Sequence, residues 1–295
     1  MERLLVSRIR PRFSGSTAPR LLSSENVLSW RHFPGGAEEF YRAPVLLSGA
    51  REALLIGAGW THRGGHMIAE AIRAAGKTLS TIYISESDPE YYFNLLSIVS
   101  KFPRARVLAA PSTVDTILHS AQKHFDMWKP YLQGDGPRAW RDIILPLPHA
   151  DSVLTVEGNA IEIVNAKRLP DRRYLYVPAL DAVFGGNLLF AGLHVWTANA
   201  PAAAHRAAWI AELDAFAERK LKVVVPGRMA SGASCDASAI AFTRNYLLAF
   251  EEECAVANDS ETLIRAMSRR YPDAEMRIAL AIGAKVAKGE MNWPR

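Results

Sequence analysis

The chain has 295 residues, of which 49% are hydrophobic and 22% are charged, so it is long enough to bury a sizeable core. No apolar run reaches the roughly 18 residues needed to cross a bilayer, so we expect no association with a membrane. The net charge is +5, but basic residues are mixed with acidic ones over most of the chain, so we expect no nucleic-acid partner.

Much of the positive charge lies at the start of the chain. Before Glu25 a single acidic residue, Glu2, stands against five arginines, which are Arg3, Arg8, Arg10, Arg12 and Arg20. A segment rich in arginine and serine, without a continuous apolar core, is typical of a poorly ordered arm. We therefore predict a flexible basic arm over residues 1–24 and a single domain over residues 25–295.

The sequence contains two cysteines, Cys235 and Cys254. Two are too few for a disulfide framework, which favours a reducing compartment, and we expect a cytoplasmic protein. The pair is also too small to form a thiolate zinc site by itself.

The first half of the chain alternates between strand and helix patterns. Runs of apolar residues bounded by turn residues predict strands at 26–33, 45–48, 53–56, 79–84 and 106–109. Apolar residues at helical spacing predict helices at 64–75, 89–99 and 113–131. Pro89 fits the first turn of the second helix, because an N–H group at that position would have no helical partner.

The middle of the chain is rich in short strands, which we predict at 152–156, 160–165, 174–177, 182–184 and 188–190. Helices then return at 202–218, 237–255, 260–269 and 274–287, with one more strand at 222–225. Two mixed sheets packed face to face, with helices outside them, would satisfy this order.

Four segments of the sequence, each at or just after a predicted strand, form a recognisable frame. They are the loop from Ser85 to Tyr91, the stretch Ala182-Val183-Phe184-Gly185-Gly186, the stretch Gly192-Leu193-His194-Val195-Trp196, and Pro226-Gly227-Arg228 after Val225. In this order and at this separation they resemble the metallo-β-lactamase superfamily over residues 25–295. The resemblance implies an α/β (α+β) fold, a four-layer αββα sandwich, with a pocket rimmed by residues 85–91 and 226–228.

The resemblance also implies a dinuclear zinc site, whose ligands this chain replaces. The first loop of the superfamily has His-x-His-x-Asp-His, or His-x-Asp-x-Asp-His in some branches, and the late segment ends in Pro-Gly-His. Here Glu86 and Asp88 stand at the first two histidine positions, Glu90 at the aspartate and Tyr91 at the next histidine. Arg228 replaces the histidine of Pro-Gly-His.

Three further residues belong to the predicted pocket or to its edge. Asn187 lies near the position where many members of the superfamily place a bridging aspartate, and residues 165–171 contain no candidate for a third histidine. His194 and Trp196, from the Gly-x-His-x-Trp stretch, are predicted to line the pocket or to orient a substrate.

The altered ligand set leaves three interpretations open. In the first, Arg228 occupies the space that a zinc ion vacates and is held by Glu86, Asp88 or Glu90, because a guanidinium binds carboxylates well and a buried carboxylate needs a counter-ion. In the second, these side chains face solvent separately. In the third, the three carboxylates bind a divalent metal such as Mg²⁺, Mn²⁺ or Zn²⁺, and Glu90 or Asp88 acts as general base towards a metal-bound water.

We therefore expect a metal-free protein without a cofactor, which binds a small-molecule ligand or substrate or acts as a non-zinc enzyme. The alternative is a metal-dependent hydrolase of an ester, lactone or amide, with Glu86, Asp88 and Glu90 as metal ligands. A homodimer is possible on general grounds.

Two other patterns carry weaker signals. His62 and His66 have i, i+4 spacing, but residues 61–65 resemble a loop more than a helix, and we interpret both histidines as solvent-facing or hydrogen-bonded. Ser234 and Cys235 have no histidine close by in sequence to activate them.

Overall fold

The computed structural model describes residues 27–293, leaving aside the side chains of residues 170 and 171. The basic arm predicted for residues 1–24 lies outside the described residues. Within them, no helix is long and apolar enough to span a membrane, and both Cys235 and Cys254 are free thiols.

A six-stranded sheet is built from the first half of the chain. Its strands lie in sequence order: β1 (Ser29–His32), β2 (Val45–Ser48), β3 (Glu52–Ile56), β4 (Thr78–Ile84), β5 (Arg106–Ala109) and β6 (Leu147–Pro148). The first three strands pair antiparallel, and β3 to β6 pair parallel. All four residues of β2 are buried, because this strand is covered on both faces and its apolar run therefore does not alternate.

A five-stranded sheet follows, in the order β12-β10-β9-β8-β7. Its strands are β7 (Val153–Val156), β8 (Asn159–Ala166), β9 (Leu169–Val177), β10 (Ala182–Phe184) and β12 (Val223–Val225). Only β10 and β12 pair parallel, so their carboxyl ends lie at the same edge of the sheet. Two short parallel strands, β11 (Phe190–Ala191) and β13 (Arg228–Met229), form a third, two-stranded sheet.

Seven helices accompany these sheets among the described residues. They are α1 (His62–Ala74), α2 (Leu95–Val99), α3 (Pro111–Trp128), α4 (Ala203–Ala217), α5 (Ser238–Val256), α6 (Ser260–Arg270) and α7 (Arg277–Ala287). Helices α1 and α3 contact strands of the first sheet, whereas α4 packs on β9 and α5 packs on β11. The architecture is the predicted αββα sandwich.

The helix predicted for residues 89–99 is wrong in its first half. Residues Pro89–Tyr91 form one 3-10 turn, and the α-helix begins only at Leu95. The carbonyl of Tyr91 accepts from the N–H of Ala58, 2.9 Å away, and the side chain of Asn94 accepts from Gly59 N at 2.7 Å. These bonds to a neighbouring loop compete with helical pairing, and periodicity along one segment does not reveal them.

Helix α1 begins earlier than the sequence predicts, at His62 within the segment interpreted as a loop. The hydroxyl of Thr61 accepts a hydrogen bond from Gly64 N at 3.0 Å, which is the usual N-cap arrangement. The same hydroxyl donates to Glu39, whose carboxylate also accepts from the N–H groups of Trp60 and Thr61. The capping residue thus joins the start of α1 to the segment before β2.

Replacing Thr61 by alanine is expected to lower the free energy of unfolding by about 1–2 kcal/mol, because the first turn of α1 and the buried Glu39 carboxylate each lose a partner. Urea denaturation monitored by circular dichroism measures the change. Thr61→Ser keeps the hydroxyl and serves as the control. If the alanine variant is as stable as the serine variant, the cap contributes nothing.

The loops that follow β4, β10 and β12 meet at one end of the two sheets. Gly227, after β12, and Gly186, after β10, touch through their backbones: a Cβ on Gly227 would lie 1.8 Å from the carbonyl oxygen of Gly186. Gly186 also has a φ of +76°, in the region that favours glycine. Only glycine at position 227 allows this approach, which brings Asn187 and Arg228 to the loop after β4.

Candidate functional site

A cavity of about 380 Å³ lies at this end of the sandwich. Five residues of the predicted pocket line it: Glu86, Asp88, Glu90, Trp196 and Arg228. The remaining lining comes from the loop after β4, from β9 and the turn before it, from α3, from α4 and the segment before it, and from Phe40 and Trp293. These further residues are Phe40, Ser87, Pro89, Ser112, Thr113, Thr116, Ser120, His124, Trp128, Arg168, Leu169, Arg172, Arg173, Asn199, Ala200, His205, Trp209 and Trp293.

Arg228 forms a buried ion pair with Glu90. The side chains of the two residues are 3% and 7% exposed, so the pair is almost fully removed from water. A second nitrogen of the guanidinium donates to the carbonyl oxygen of Phe40 at 2.7 Å, and the guanidinium carbon lies 5.1 Å from the centre of the Phe40 ring. Of the three carboxylates that the sequence offers as partners for Arg228, the structure places Glu90 in contact.

Asn187 holds the loops together by using all four of its polar groups. Its backbone N–H donates to Glu86 Oε1 at 3.0 Å, and its side-chain amide nitrogen donates to Asp88. Its side-chain oxygen accepts from the hydroxyl of Tyr91 at 2.7 Å, and its backbone oxygen accepts from Arg172 at 2.6 Å. Asn187 and Tyr91 therefore lie behind the cavity and do not line it, contrary to the sequence prediction.

Glu86 is a fully buried carboxyl group at the base of the cavity. Burial raises its pKa to about 7, and the nearby Arg172 and the backbone N–H groups of Asn187 and Arg173 only partly oppose this rise. Asp88 acts in the same direction as burial, because a second negative charge disfavours ionisation of Glu86. The acid is thus half ionised near neutral pH.

Three further buried arginines lie near the cavity, and the sequence alone did not indicate them. Arg42 is 2% exposed; it donates to the carbonyl of Gly227, and its guanidinium carbon lies 3.4 Å from the centre of the Tyr91 ring. Arg172 lies over the indole of Trp209, 4.8 Å from its centre. Arg173 donates to the hydroxyl oxygens of Thr113 and Ser112, at 3.0 and 2.6 Å.

No motif marks these arginines in the sequence. Arg172 and Arg173 precede the predicted strand 174–177, and the actual strand β9 begins earlier, at Leu169. The only signal was the pair of adjacent basic residues at the start of a buried strand. Because successive side chains of a strand point to opposite faces, one charge of such a pair can face solvent but the other cannot.

Burial and neighbouring charges shift the pKa values of Arg228 and Arg42. Burial, followed by the neighbouring Arg42, lowers the pKa of Arg228 to about 9, whereas Asp88 and Glu86 act against this change. Burial also lowers the pKa of Arg42, which the Tyr91, Glu86 and Asp88 groups oppose. Because a guanidinium group stays protonated in proteins, Arg42 and Arg228 place two fixed positive charges at the site.

Four aromatic side chains form a connected wall at another part of the cavity. Phe40 meets Trp128 edge to face at 5.5 Å between ring centres and Trp196 at 6.1 Å. Trp293 completes the group, at 5.3 Å from Trp196 and 6.5 Å from Trp128. We call these four residues the aromatic wall.

His194, predicted to line the pocket or to orient a substrate, is not among the residues that line the cavity. Its Nδ1 lies 3.0 Å from the hydroxyl of Tyr246 on helix α5, and the residue is 2% exposed. Burial lowers its pKa to about 4, so the imidazole is neutral at physiological pH. The Gly-x-His-x-Trp stretch turns its histidine into the core and its tryptophan towards the cavity.

The side chains present do not fit a divalent metal. Between residues 27 and 293 no group of three or more histidine, cysteine, aspartate or glutamate side chains is arranged to hold one. More directly, one oxygen of each carboxylate is already in contact with a protein donor: Glu90 with Arg228, Asp88 with the amide of Asn187, and Glu86 with a backbone N–H. A metal would also have to enter beside Arg42 and Arg228.

The two histidines at i, i+4 spacing lie elsewhere. His66 is exposed, and His62 contacts the hydroxyl of Ser97 through Nδ1 at 3.0 Å, on the outer face of α1. Cys235 lies 3.9 Å from His32 Nδ1, but burial raises the pKa of this thiol. A raised pKa is the opposite of what a cysteine nucleophile requires.

No protein-family model matches the sequence, and no curated protein matches it. Among solved structures, the chain is similar to a beta-lactamase domain protein from Burkholderia ambifaria, with a TM-score of 0.59, 15% identity and coverage of 88% of this chain and 84% of the other. It is also similar to a metallo-beta-lactamase family protein from Thermus thermophilus, with a TM-score of 0.54, 16% identity and coverage of 89% and 94%. The resemblance drawn from the sequence is thereby confirmed at the level of the fold: the chain has the metallo-β-lactamase fold.

Proposed function

We propose that this chain is a metal-free small-molecule-binding protein, or a non-zinc enzyme, in which the buried ion pair between Arg228 and Glu90 takes the place of a metal ion. This ion pair is the observation that carries the proposal. Arg228 stands where the fold's relatives have a metal-binding histidine, and Glu90 where they have an aspartate. The positive charge that a metal would supply to the loop after β4 comes here from the protein itself.

The energetics of burial support this replacement. A carboxylate as buried as Glu90 requires a counter-ion, and a guanidinium at contact distance provides one without leaving an open coordination position. Arg42 adds a second fixed charge behind the pair. The two arginines repel an incoming divalent cation, whereas a negatively charged or neutral organic molecule meets no such barrier.

The bonds of Asn187 support the same proposal. An aspartate at this position would place a third carboxylate beside Glu86 and Asp88. The three negative charges would repel one another, and a bound metal ion would be needed to neutralise them. The amide instead donates to Asp88 and leaves the loop ordered without a metal. The cavity volume, about 380 Å³, lies within the range of ordinary small-molecule pockets.

The competing candidate is a metal-dependent hydrolase of an ester, lactone or amide with Glu86, Asp88 and Glu90 as ligands. It would require Glu90 to release Arg228 and Asp88 to release Asn187. We therefore treat it as the alternative outcome of the following experiment.

Metal content and thermal stability test the proposal. For protein purified without chelator we expect less than about 0.1 equivalent of any divalent metal by elemental analysis. Adding Mg²⁺, Mn²⁺ or Zn²⁺, or EDTA, should leave Tm unchanged. A site saturated at about 100 times its Kd would contribute about 2.7 kcal/mol and raise Tm by roughly 5 °C.

The result that would overturn the proposal is stoichiometric metal together with hydrolysis of ester or lactone substrates that EDTA abolishes. A chain with Arg228→His and Glu90→Asp, which restores two of the superfamily's ligand types, is the matched comparison. Zinc should raise the Tm of this variant more than that of the parent chain.

A further inference from the structure

We propose that the cavity binds an elongated organic anion, whose carboxylate or phosphate group lies against Arg172 and Arg173 and whose far, aromatic end lies against the aromatic wall. This inference rests on the proposed function, because it assumes a pocket occupied by an organic molecule rather than by a metal. It adds the chemical class of that molecule and the direction in which it lies.

The first argument is that the cavity contains buried positive charge without a carboxylate in contact. Arg173 is 8% exposed and its guanidinium donates to two hydroxyl oxygens. Arg172, also 8% exposed, donates to a backbone carbonyl and lies over Trp209. Among the described side chains, no carboxylate oxygen lies within 4 Å of either guanidinium group, whereas Arg228 and Arg168 each have one.

Buried cations of this kind are costly unless something neutralises them. The lining includes four guanidinium groups and three carboxylates, and Arg42 lies directly behind. Glu90 pairs with Arg228, and Asp88 accepts a hydrogen bond from Asn187. Glu86 is therefore the carboxylate that interacts electrostatically with Arg172. An anionic ligand would supply the missing negative charge.

The second argument comes from helix α3, which lines the cavity with a row of side chains along its whole length. Ser112, Thr116, Ser120, His124 and Trp128 occur at intervals of four residues, and all five belong to the lining. Side chains four residues apart are neighbours on a helix, so the row winds gradually around α3, and sixteen residues span about 24 Å at 1.5 Å per residue. The cavity is therefore long, with Ser112 at one end and Trp128 at the other.

The two ends of this row of α3 side chains differ in chemistry. Ser112 lies in the first turn of α3 and its hydroxyl oxygen accepts from Arg173, so the cationic end of the cavity coincides with the start of the helix. The partial positive charge of a helix N-terminus adds to that of the buried arginine. Trp128 at the other end belongs to the aromatic wall, which offers ring faces and edges to an apolar group.

Fluorescence titration of the full chain tests the inference, because tryptophans of the cavity report on occupancy. The probes are 8-phenyloctanoate and its neutral counterpart 8-phenyloctan-1-ol, which share the same chain and ring. We expect the carboxylate to bind at least ~10-fold more tightly than the alcohol. Arg173→Met should weaken binding of the carboxylate at least ~10-fold and leave binding of the alcohol within about twofold.

Two more variants keep the test decisive. Ser112→Ala changes an exposed hydroxyl at the same end of the cavity and should weaken the carboxylate a few-fold even if Arg173→Met does not fold. Arg244→Met removes an exposed arginine of α5 that pairs with Asp214, away from the cavity, and should change nothing. A shorter anion, phenylacetate, should bind more weakly than 8-phenyloctanoate, since its ring would not reach the wall.

The inference is overturned if the alcohol binds as tightly as the carboxylate, or if folded Arg173→Met and Ser112→Ala both bind the carboxylate like the parent chain. Failure of the proposed function has a different signature. In that case the carboxylate would bind only when Mg²⁺, Mn²⁺ or Zn²⁺ is added, and EDTA would abolish binding.

Discussion

Replacing Arg228 by methionine is expected to lower the free energy of unfolding by about 3–5 kcal/mol. The substitution removes the counter-ion of Glu90, whose side chain is only 7% exposed, and leaves a largely buried carboxylate unpaired. It also removes the donor to the carbonyl of Phe40. Urea denaturation followed by tryptophan fluorescence measures the loss.

The double variant Arg228→Met, Glu90→Gln separates the unpaired charge from the lost packing. Because glutamine is neutral, the double variant should recover most of the stability that the single variant loses, and the double-mutant cycle should give a large coupling energy. Arg244→Met is the matched control, since its partner Asp214 is half exposed and surface pairs contribute less than about 1 kcal/mol. An Arg228→Met variant no less stable than Arg244→Met would show that the pair does not organise the site.

Under the proposed function, the same pair would hold the loops of the site in place without a metal ion. In a metal site, one ion binds side chains from several loops and thereby fixes the distances between them. Here Arg228 joins the loop after β12 to Glu90 and to the carbonyl of Phe40, while Asn187 joins the loop after β10 to Glu86 and Asp88. The loops after β10 and β12 are therefore each tied to the loop after β4 through at least one buried polar contact.

The fold could be predicted because its signals are local and ordered along the chain. Strands β2, β5 and β10 have the predicted bounds, since each is a short apolar run between turn residues. The loops that carry the site follow β4, β10 and β12 as expected, and the last two meet because β10 and β12 are parallel neighbours in one sheet. The fold itself is shared with a solved structure at 15% identity.

The arrangement of the site could be predicted only in part. The opposite charges of Glu90 and Arg228 are visible in the sequence, but which carboxylate meets the arginine depends on the conformations of short loops. Arg42 comes from a turn before β2, where Phe40 and Tyr41 both have positive φ values, and no pattern in the sequence indicates that turn. His194 lies in an irregular segment after β11, where no periodic pattern in the sequence indicates which side chains face the core.

Glu86→Gln is expected to change the pH dependence of stability. Burial raises the pKa of Glu86 from 4.5 in the unfolded chain to about 7 in the folded one. The stability that this group contributes is therefore fully present below pH 4.5 and is lost as the pH rises through 7, because the folded protein must then hold a buried carboxylate. Glutamine can accept the same bonds from the N–H groups of Asn187 and Arg173 without titrating.

Relative to the parent chain, the Glu86→Gln variant should thus gain up to about 3 kcal/mol between pH 5 and pH 8, from 1.36 kcal/mol for each pKa unit. Urea titrations at half-unit intervals of pH measure the difference between the two proteins, in which titration of His194 and of other shared groups cancels. Glu261→Gln, at a side chain that is 80% exposed on α6, is the control and should give a difference that does not vary with pH. A flat difference for Glu86→Gln as well would mean that Arg172 and the backbone donors hold Glu86 ionised throughout, so that the cavity floor carries a permanent negative charge.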